Sequence, residues 1–299
     1  MRATVGVVVT GFDQGDLVRE AVESVLRQTR APDQVVVVDD GSTDARSLAV
    51  LDALRAEGEV QVLRQENAGV SAARNAGLSR LTTELAVVLD GDDRLAETFV
   101  ERTAALLEED ADVVGASSWL RMHGVAHAVA RPAGGAAVDF LHRNASPATV
   151  MLRRDRWRAA GGYDERMRDG FEDWDFFLAL LAAGGRIEIV PEPLVEYRTS
   201  PTSANVRSMD KRIALYGHLV DRHRPLFEQH LRAVLLAQEA ASIARLDAWE
   251  QLVLDHPEVP VDDATYGDGG MAAVVRIATA RAASVGAPTA RTAAPVPEG

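Results

Sequence analysis

Carboxylates able to do chemistry fall in three tight groups: Asp39-Asp40, Asp90-Gly91-Asp92-Asp93 and Glu172-Asp173. Two aspartates one residue apart suit a hard divalent cation such as Mg2+ or Mn2+, which keeps waters and recruits substrate phosphates. In an extended segment alternate side chains share a face, so Asp90 and Asp92 are expected to point the same way. Gly91 between them lets a ligand approach the backbone. A solvated turn capping the next helix competes with this for so short a motif; its place after an apolar strand favours the cation. Asp39-Asp40-Gly41-Ser42-Thr43-Asp44 carries carboxylates that can accept from a base N–H and from ribose hydroxyls, and its residue types serve turns and caps equally well. Glu172-Asp173-Trp174-Asp175-Phe176-Phe177 opens a helix, where acidic residues complement the macrodipole. It equally suits a general base at a pocket floor, with Trp174 and the Phe pair fixing the helix; the segment alone leaves both open. Asn67–Asn75 opens another helix whose amides, with Arg74, can meet phosphate. The basic run Arg153–Arg158 reads more readily as a solvated helix face than as an anion site.

These groups need elements to hold them. Val5–Val9 and Val35–Val38 are continuous β-branched runs of the kind buried on both faces of a parallel sheet. Between them Leu17, Val18, Ala21, Val22, Val25 and Leu26 recur at helical spacing, stopped by Arg30-Ala31-Pro32. Helices at Ser47–Arg55 and Ser71–Leu81 and strands at Val60–Leu63 and Leu85–Leu89 continue the alternation, which predicts a doubly wound, mostly parallel α/β sheet. Ligands of such sheets bind beyond the carboxyl ends of the strands, where Thr10-Gly11-Phe12, Asp39-Asp40 and Asp90–Asp93 stand. Further on, the patterning predicts a helix at Phe99–Leu107, a short strand from Val113, a loop-rich stretch Arg121–Asp139, a strand at Val150–Leu152 and helices at Arg153–Ala160 and Glu172–Ala183. A strand at Ile187–Val190 is expected to close at Pro191 and Pro193. Residues 209–255 are helical by periodicity with a break at Pro225; the chain is expected to be loop-like after His256-Pro257 and disordered from about Ala283.

The chain has 299 residues, 32 Lys+Arg against 45 Asp+Glu, a net charge of −13 and no cysteine. This excludes disulfides, thiolate metal sites and a thiol nucleophile, and argues against sequence-independent nucleic-acid binding. There is no G-x-G-x-x-G after the first strand, no Walker A loop, no G-x-S-x-G and no metal spacing among the seven His. No signal-peptide pattern or apolar run of spanning length is present, which predicts a cytoplasmic protein or one held at the periphery of a membrane.

In order and spacing, Val5–Phe12, Ser24–Thr29, Val36–Asp44, Asn67–Gly77, Leu89–Asp93, Gly161–Glu165, Glu172–Asp175 and Val195–Arg198 resemble the family 2 glycosyltransferases, inverting enzymes of the GT-A fold. The resemblance covers roughly residues 3–205. It implies a catalytic domain over 1–208, a helical extension over 209–256 and a tail over 257–299. It also implies that Asp92 ligates the Mn2+ or Mg2+ bridging the donor diphosphate, while Asp90 meets the donor ribose or assists the metal through water. Asp40 would accept from the base, with Phe12 packed on its ring and Thr10 beside it. Arg74 would lie near the diphosphate, and Asp173, supported by Glu172, would deprotonate the acceptor hydroxyl. The implied partners are a nucleotide-diphosphate sugar, UDP-linked by preference, and a hydroxyl acceptor on a glycan, a lipid-linked sugar or a small natural product. Where relatives often carry His two residues after the Tyr-Arg pair, this chain has Ser200, and Glu97 replaces a frequent Pro. The absence of Q-x-x-R-W and of spanning helices implies transfer of single sugars. A catalytically silent nucleotide-sugar-binding or scaffold protein is the rival expectation; a sugar-1-phosphate nucleotidyltransferase would need a basic Gly-rich loop where Gly11–Asp16 is acidic. The C-terminal helices are expected to pack on the acceptor side or to mediate self-association.

Overall fold

Three apolar segments, Val5–Gly11, Gln34–Asp39 and Leu85–Asp90, are buried along nearly their whole length and make the centre of the sheet. In the computed structural model, which describes residues 2–201, 203–262, 264–265 and 268–286, the strands β1 (Val5–Gly11), β2 (Gln34–Asp39), β3 (Gln61–Arg64) and β4 (Leu85–Asp90) run parallel in the order β3-β2-β1-β4. They alternate with α1 (Asp16–Leu26), α2 (Ala45–Glu57) and α3 (Val70–Arg80). Then come β5 (Arg94–Leu95), α4 (Phe99–Glu109), β6 (Val113–Gly124), β7 (Ala128–Ala130), α5 (Ala137–Phe140), β8 (Val150–Arg153), α6 (Arg154–Ala159), α7 (Glu172–Leu181) and β9 (Arg186–Thr199). The sheet continues from β4 through β8, β6 and β9 to β5, with β8 antiparallel to its neighbours and β7 paired on β6.

Alternation along β1 sends Val5, Val7 and Val9 into a core with α1, α2 and α4, while Val8 faces α3. A Cβ on Gly77 would fall 2.3 Å from Val8 Cγ1, so glycine sets how closely α3 lies on the sheet. The buried Gln28, just past the end of α1, works in both directions: its Nε2 donates to the Ala96 carbonyl at 2.9 Å and its Oε1 accepts from Val100 N at 2.9 Å. That pair fastens α1 to the start of α4, just past the Asp90 turn.

Two strands exceed their expected length. β6 covers the first four residues of the stretch read as loop, because Met122, His123 and Gly124 pair with Tyr197, Arg198 and Thr199. β9 continues through Pro191 and Pro193, where the register against β6 shifts around Trp119; an irregular ladder tolerates residues that cannot donate. Arg153 and Arg154 are not a solvated face: Arg153 Nε donates to the Val113 carbonyl and Arg154 Nε and Nη1 to those of Thr83 and Leu81, tying loop ends to the sheet.

The segment expected as one helical extension is divided. A first unit, Met1–Leu231, includes the short α8 (Ala204–Ser208), α9 (Arg212–Arg222) and α10 (Arg224–Gln229), with Pro225 in the first turn of α10. Tyr216 Oη donates to the Leu141 carbonyl at 2.7 Å, and its ring lies 5.5 Å from that of Trp174. Asp175 Oδ1 stands 2.8 Å from His223 Nε2 and 2.9 Å from Arg222 Nε, joining α7 to α9 and its cap. The second unit, Arg232–Gly299, holds most of α11 (Leu231–Asp255) and α12 (Gly270–Gly286). α12 stands where a loop was expected: its alanines favour helix, Ala273 and Ile277 are buried one turn apart, and Arg276 forks onto Glu250 of α11. Of the tail expected to be disordered, residues 287–299 lie outside the described residues. No described helix is long and apolar enough to cross a membrane.

Candidate active site

Asp90 is the last residue of β4, and the chain turns at Gly91 and Asp92, closed by Asp93 N–H on the Asp90 carbonyl at 3.0 Å. The segment read as extended is therefore a turn. Gly91 N–H donates to the Thr10 carbonyl at 2.7 Å, and a Cβ there would sit equally close to that oxygen, so only glycine lets the turn press on β1. Burial and the Asp90 charge both raise the Asp92 carboxyl above the ordinary aspartate range. The same two causes raise buried Asp93 further, although it accepts from Arg198 N at 2.8 Å. Carboxylates whose proton affinity is raised because negative charge is crowded and desolvated gain from a hard cation, and their oxygens suit Mg2+ or Mn2+. Among the described residues no three His, Cys, Asp or Glu converge into a closed cage.

Arg74 is 2% exposed and engaged on both arms. Nη2 donates to Asp90 Oδ1 and Oδ2 at 2.8 and 3.1 Å, and Nη1 to Glu172 Oε1 at 3.0 Å. Burial works against its charge, but Asp90 and Glu172 outweigh that and keep it protonated. It underpins the site, with its guanidinium over Tyr163 at 5.4 Å; Nη1 and Nη2 meet carboxylates, while buried Nε has no hydrogen-bond partner among the described residues.

Asp173 lies in the first turn of α7. Its Oδ2 accepts from Asn144 Nδ2 and its Oδ1 from Trp174 N, both at 2.8 Å. Burial and the Glu172 charge push its carboxyl up to about 7, against the pull of Arg74. Phe171, just before the helix, has φ of 64°, a conformation costing on the order of 1–3 kcal/mol. Its ring lies 5.1 Å from Trp174, whose Nε1 donates to the Phe140 carbonyl at 2.6 Å. The aromatic anchors expected from the sequence are present and fix the helix start.

A cavity of about 630 Å³ brings together Arg74, Asp90, Asp93, Glu172, Asp173 and Tyr197. Tyr197 is pushed up to about 12 by burial and by the surrounding aspartates. Thr10, Phe12, Asp40 and Asp92 are not among the residues lining it. Thr10 is buried with its hydroxyl 3.4 Å from Asp90 Oδ1, and Phe12 is 46% exposed at the end of β1. Asp40 accepts from Gln65 Nε2 at 2.7 Å, Ala68 N at 2.9 Å and Gly69 N at 2.8 Å, three of about four acceptor positions a carboxylate has.

Three contributors went unassigned in the sequence. Asp93 sits inside the motif, beside the two aspartates that were singled out. Asn144 lies in a loop with no local signal. Asn75 clamps Gly161–Glu165, its Oδ1 accepting from Tyr163 N and its Nδ2 donating to the Tyr163 carbonyl and to Glu165.

The family model for glycosyl transferase family 2 matches residues 6–157. GlyG, a glycosyltransferase of Streptococcus pneumoniae serotype 4, is 38% identical over 117 residues, which cover 38% of this chain and 38% of GlyG. The match thus spans well under two thirds of that relative. YwdF of Bacillus subtilis, described as an uncharacterized glycosyltransferase, is 26% identical over 84% of this chain and 95% of its own length. The S. aureus TarS 1–349 structure in complex with UDP-GlcNAc superposes with a TM-score of 0.58 at 17% identity, covering 77% of this chain and 73% of that one; at this identity it shows the shared fold. With the matched model covering half its length, from the first strand of the sheet past the Asp90 turn to Trp157, this chain belongs to glycosyl transferase family 2.

Proposed function

We propose that the protein transfers a single sugar from a nucleoside-diphosphate sugar, UDP-linked by preference, to an acceptor hydroxyl with inversion, and that Asp173 is its general base. The observation carrying this is a buried carboxylate held near neutrality on the wall of a large cavity, across Arg74 from the carboxyl end of β4. A base serves best when its proton affinity matches the working pH, and Asn144 and Trp174 N–H orient this one. As the acceptor oxygen bonds to the anomeric carbon, its proton passes to Asp173 and the sugar–phosphate bond breaks, its electron pair leaving with the nucleoside diphosphate. Asp92, with Asp90 nearby, is the group we assign to a divalent cation, whose chemistry is to offset charge gathering on that leaving group. Phe12 offers an exposed ring for the base, Thr10 lies beside it, and Asp40 has one acceptor position left. The UDP-GlcNAc complex of the TarS fragment supports a UDP-sugar donor.

The test is calorimetric titration of UDP, GDP and dTDP with and without Mn2+, followed by turnover of the matching sugar conjugates. Cation-dependent binding of one nucleotide, with Asp92→Ala abolishing it, is the expected result. Asp173→Asn should keep that binding and lower kcat by ~10²–10⁴-fold. Binding without any turnover in the wild type would favour the silent scaffold instead.

A further inference from the structure

On the cavity wall, Arg131, Arg143 and Arg212 are exposed and carry no ion pair or hydrogen bond to a carboxylate among the described residues. In a chain of net charge −13, three unneutralised guanidinium groups facing one cavity call for an explanation. Arg74, the remaining cation of the lining, is spent on Asp90 and Glu172. Two of the three are held by rings: Arg131 lies 5.1 Å from the centroid of Trp119, and Arg212 lies 5.4 Å from Phe171 and 5.9 Å from Trp174. A guanidinium held beside a ring face keeps N–H groups available to a planar or tetrahedral anion. Arg143 adjoins Asn144, which holds Asp173, and Arg212 stacks on the two aromatics that flank Glu172-Asp173. The three arginines thus share the cavity lining with Asp173, Arg143 and Arg212 through residues that touch or flank it and Arg131 on the Trp119 side.

From this we infer that the acceptor is anionic, and that Arg143 and Arg212, with Arg131, bind a phosphate group on it close to the hydroxyl that reacts; this rests on the transfer proposed above. Bidentate guanidinium–phosphate contacts give both affinity and orientation. The same chemistry could be presented by a soluble glycosyl phosphate or by a lipid diphosphate.

The experiment uses the full chain, first titrated with UDP and Mg2+ and then, with UDP bound to occupy the donor side, with glucose, glucose 1-phosphate, inorganic pyrophosphate and farnesyl diphosphate. Glucose 1-phosphate should bind where glucose does not, and more weakly as salt rises. The Arg143→Ala/Arg212→Ala double variant should lose about tenfold or more in that affinity. The corresponding Lys pair should keep part of it, and UDP binding reports folding in each variant. Tighter binding of farnesyl diphosphate than of pyrophosphate assigns a lipid-linked source; equal binding assigns a soluble one. Glucose 1-phosphate binding no better than glucose, or unchanged in the alanine pair, would overturn the inference. Uptake of UDP without glucose 1-phosphate keeps the transferase and removes the anion site, and the converse does the reverse.

Discussion

Glu172 and Asp173 divide two tasks between adjacent side chains. Glu172 meets Arg74, which also holds Asp90, so one buried cation spans residues 16 and 98 positions away in sequence. Asp173 is left with burial and its neighbour's charge, which raise its proton affinity. A base must be unprotonated to work, so kcat should fall about tenfold per pH unit below about 7 and level off above it. Glu172→Gln removes the like charge and frees Arg74 to act on Asp173; both changes favour the carboxylate. The acidic limb should therefore move down by about one pH unit. A limb that stays in place in a pH–rate profile of this variant would mean that another group titrates.

At the scale of elements, glycine and amide contacts decide how the site's supports meet. Gly77→Ala places a methyl group against Val8, beneath the strand that carries Thr10. It should cost about 1–3 kcal/mol by overpacking, read as a lower urea midpoint with unchanged slope. Asp175→Asn leaves His223 and Arg222 without their buried carboxylate and should cost about 3 kcal/mol. Both are measured by equilibrium unfolding. The parallel half of the sheet was legible because runs such as Val5–Val9 have one solution, a strand covered on both faces. The turn at Gly91-Asp92 was not legible, because a contact with Thr10 from another strand forms it. Nor was the length of β9, since prolines read as stops unless the partner strand is known to shift register.

For the whole molecule the useful boundary lies at Leu231, not near residue 208. α9 supplies Tyr216 beside Trp174, Phe227 of α10 packs on Tyr216, and Arg222 and His223 reach Asp175. A chain ending at 208 exposes the back of the helix that carries Asp173, whereas one ending at 231 keeps it covered. The longer fragment should unfold cooperatively and bind UDP with the affinity of the full chain. The shorter one should melt at a lower temperature or fail to fold, by circular dichroism and calorimetry. Equal thermal midpoints for the two would show that α9 and α10 add no stability to the first unit.

Local periodicity and turn chemistry by themselves determined the alternating strands and helices of the first ninety residues, the carboxylates at the strand ends and the aromatic anchors around Asp173. Each of these depends on neighbours within a few positions, which a sequence displays directly. Only the tertiary structure decided which carboxylate is neutralised by Arg74, which is left to titrate near neutrality, and which arginines face the cavity unpaired. Burial, and charges brought close by folding from distant parts of the chain, set those outcomes.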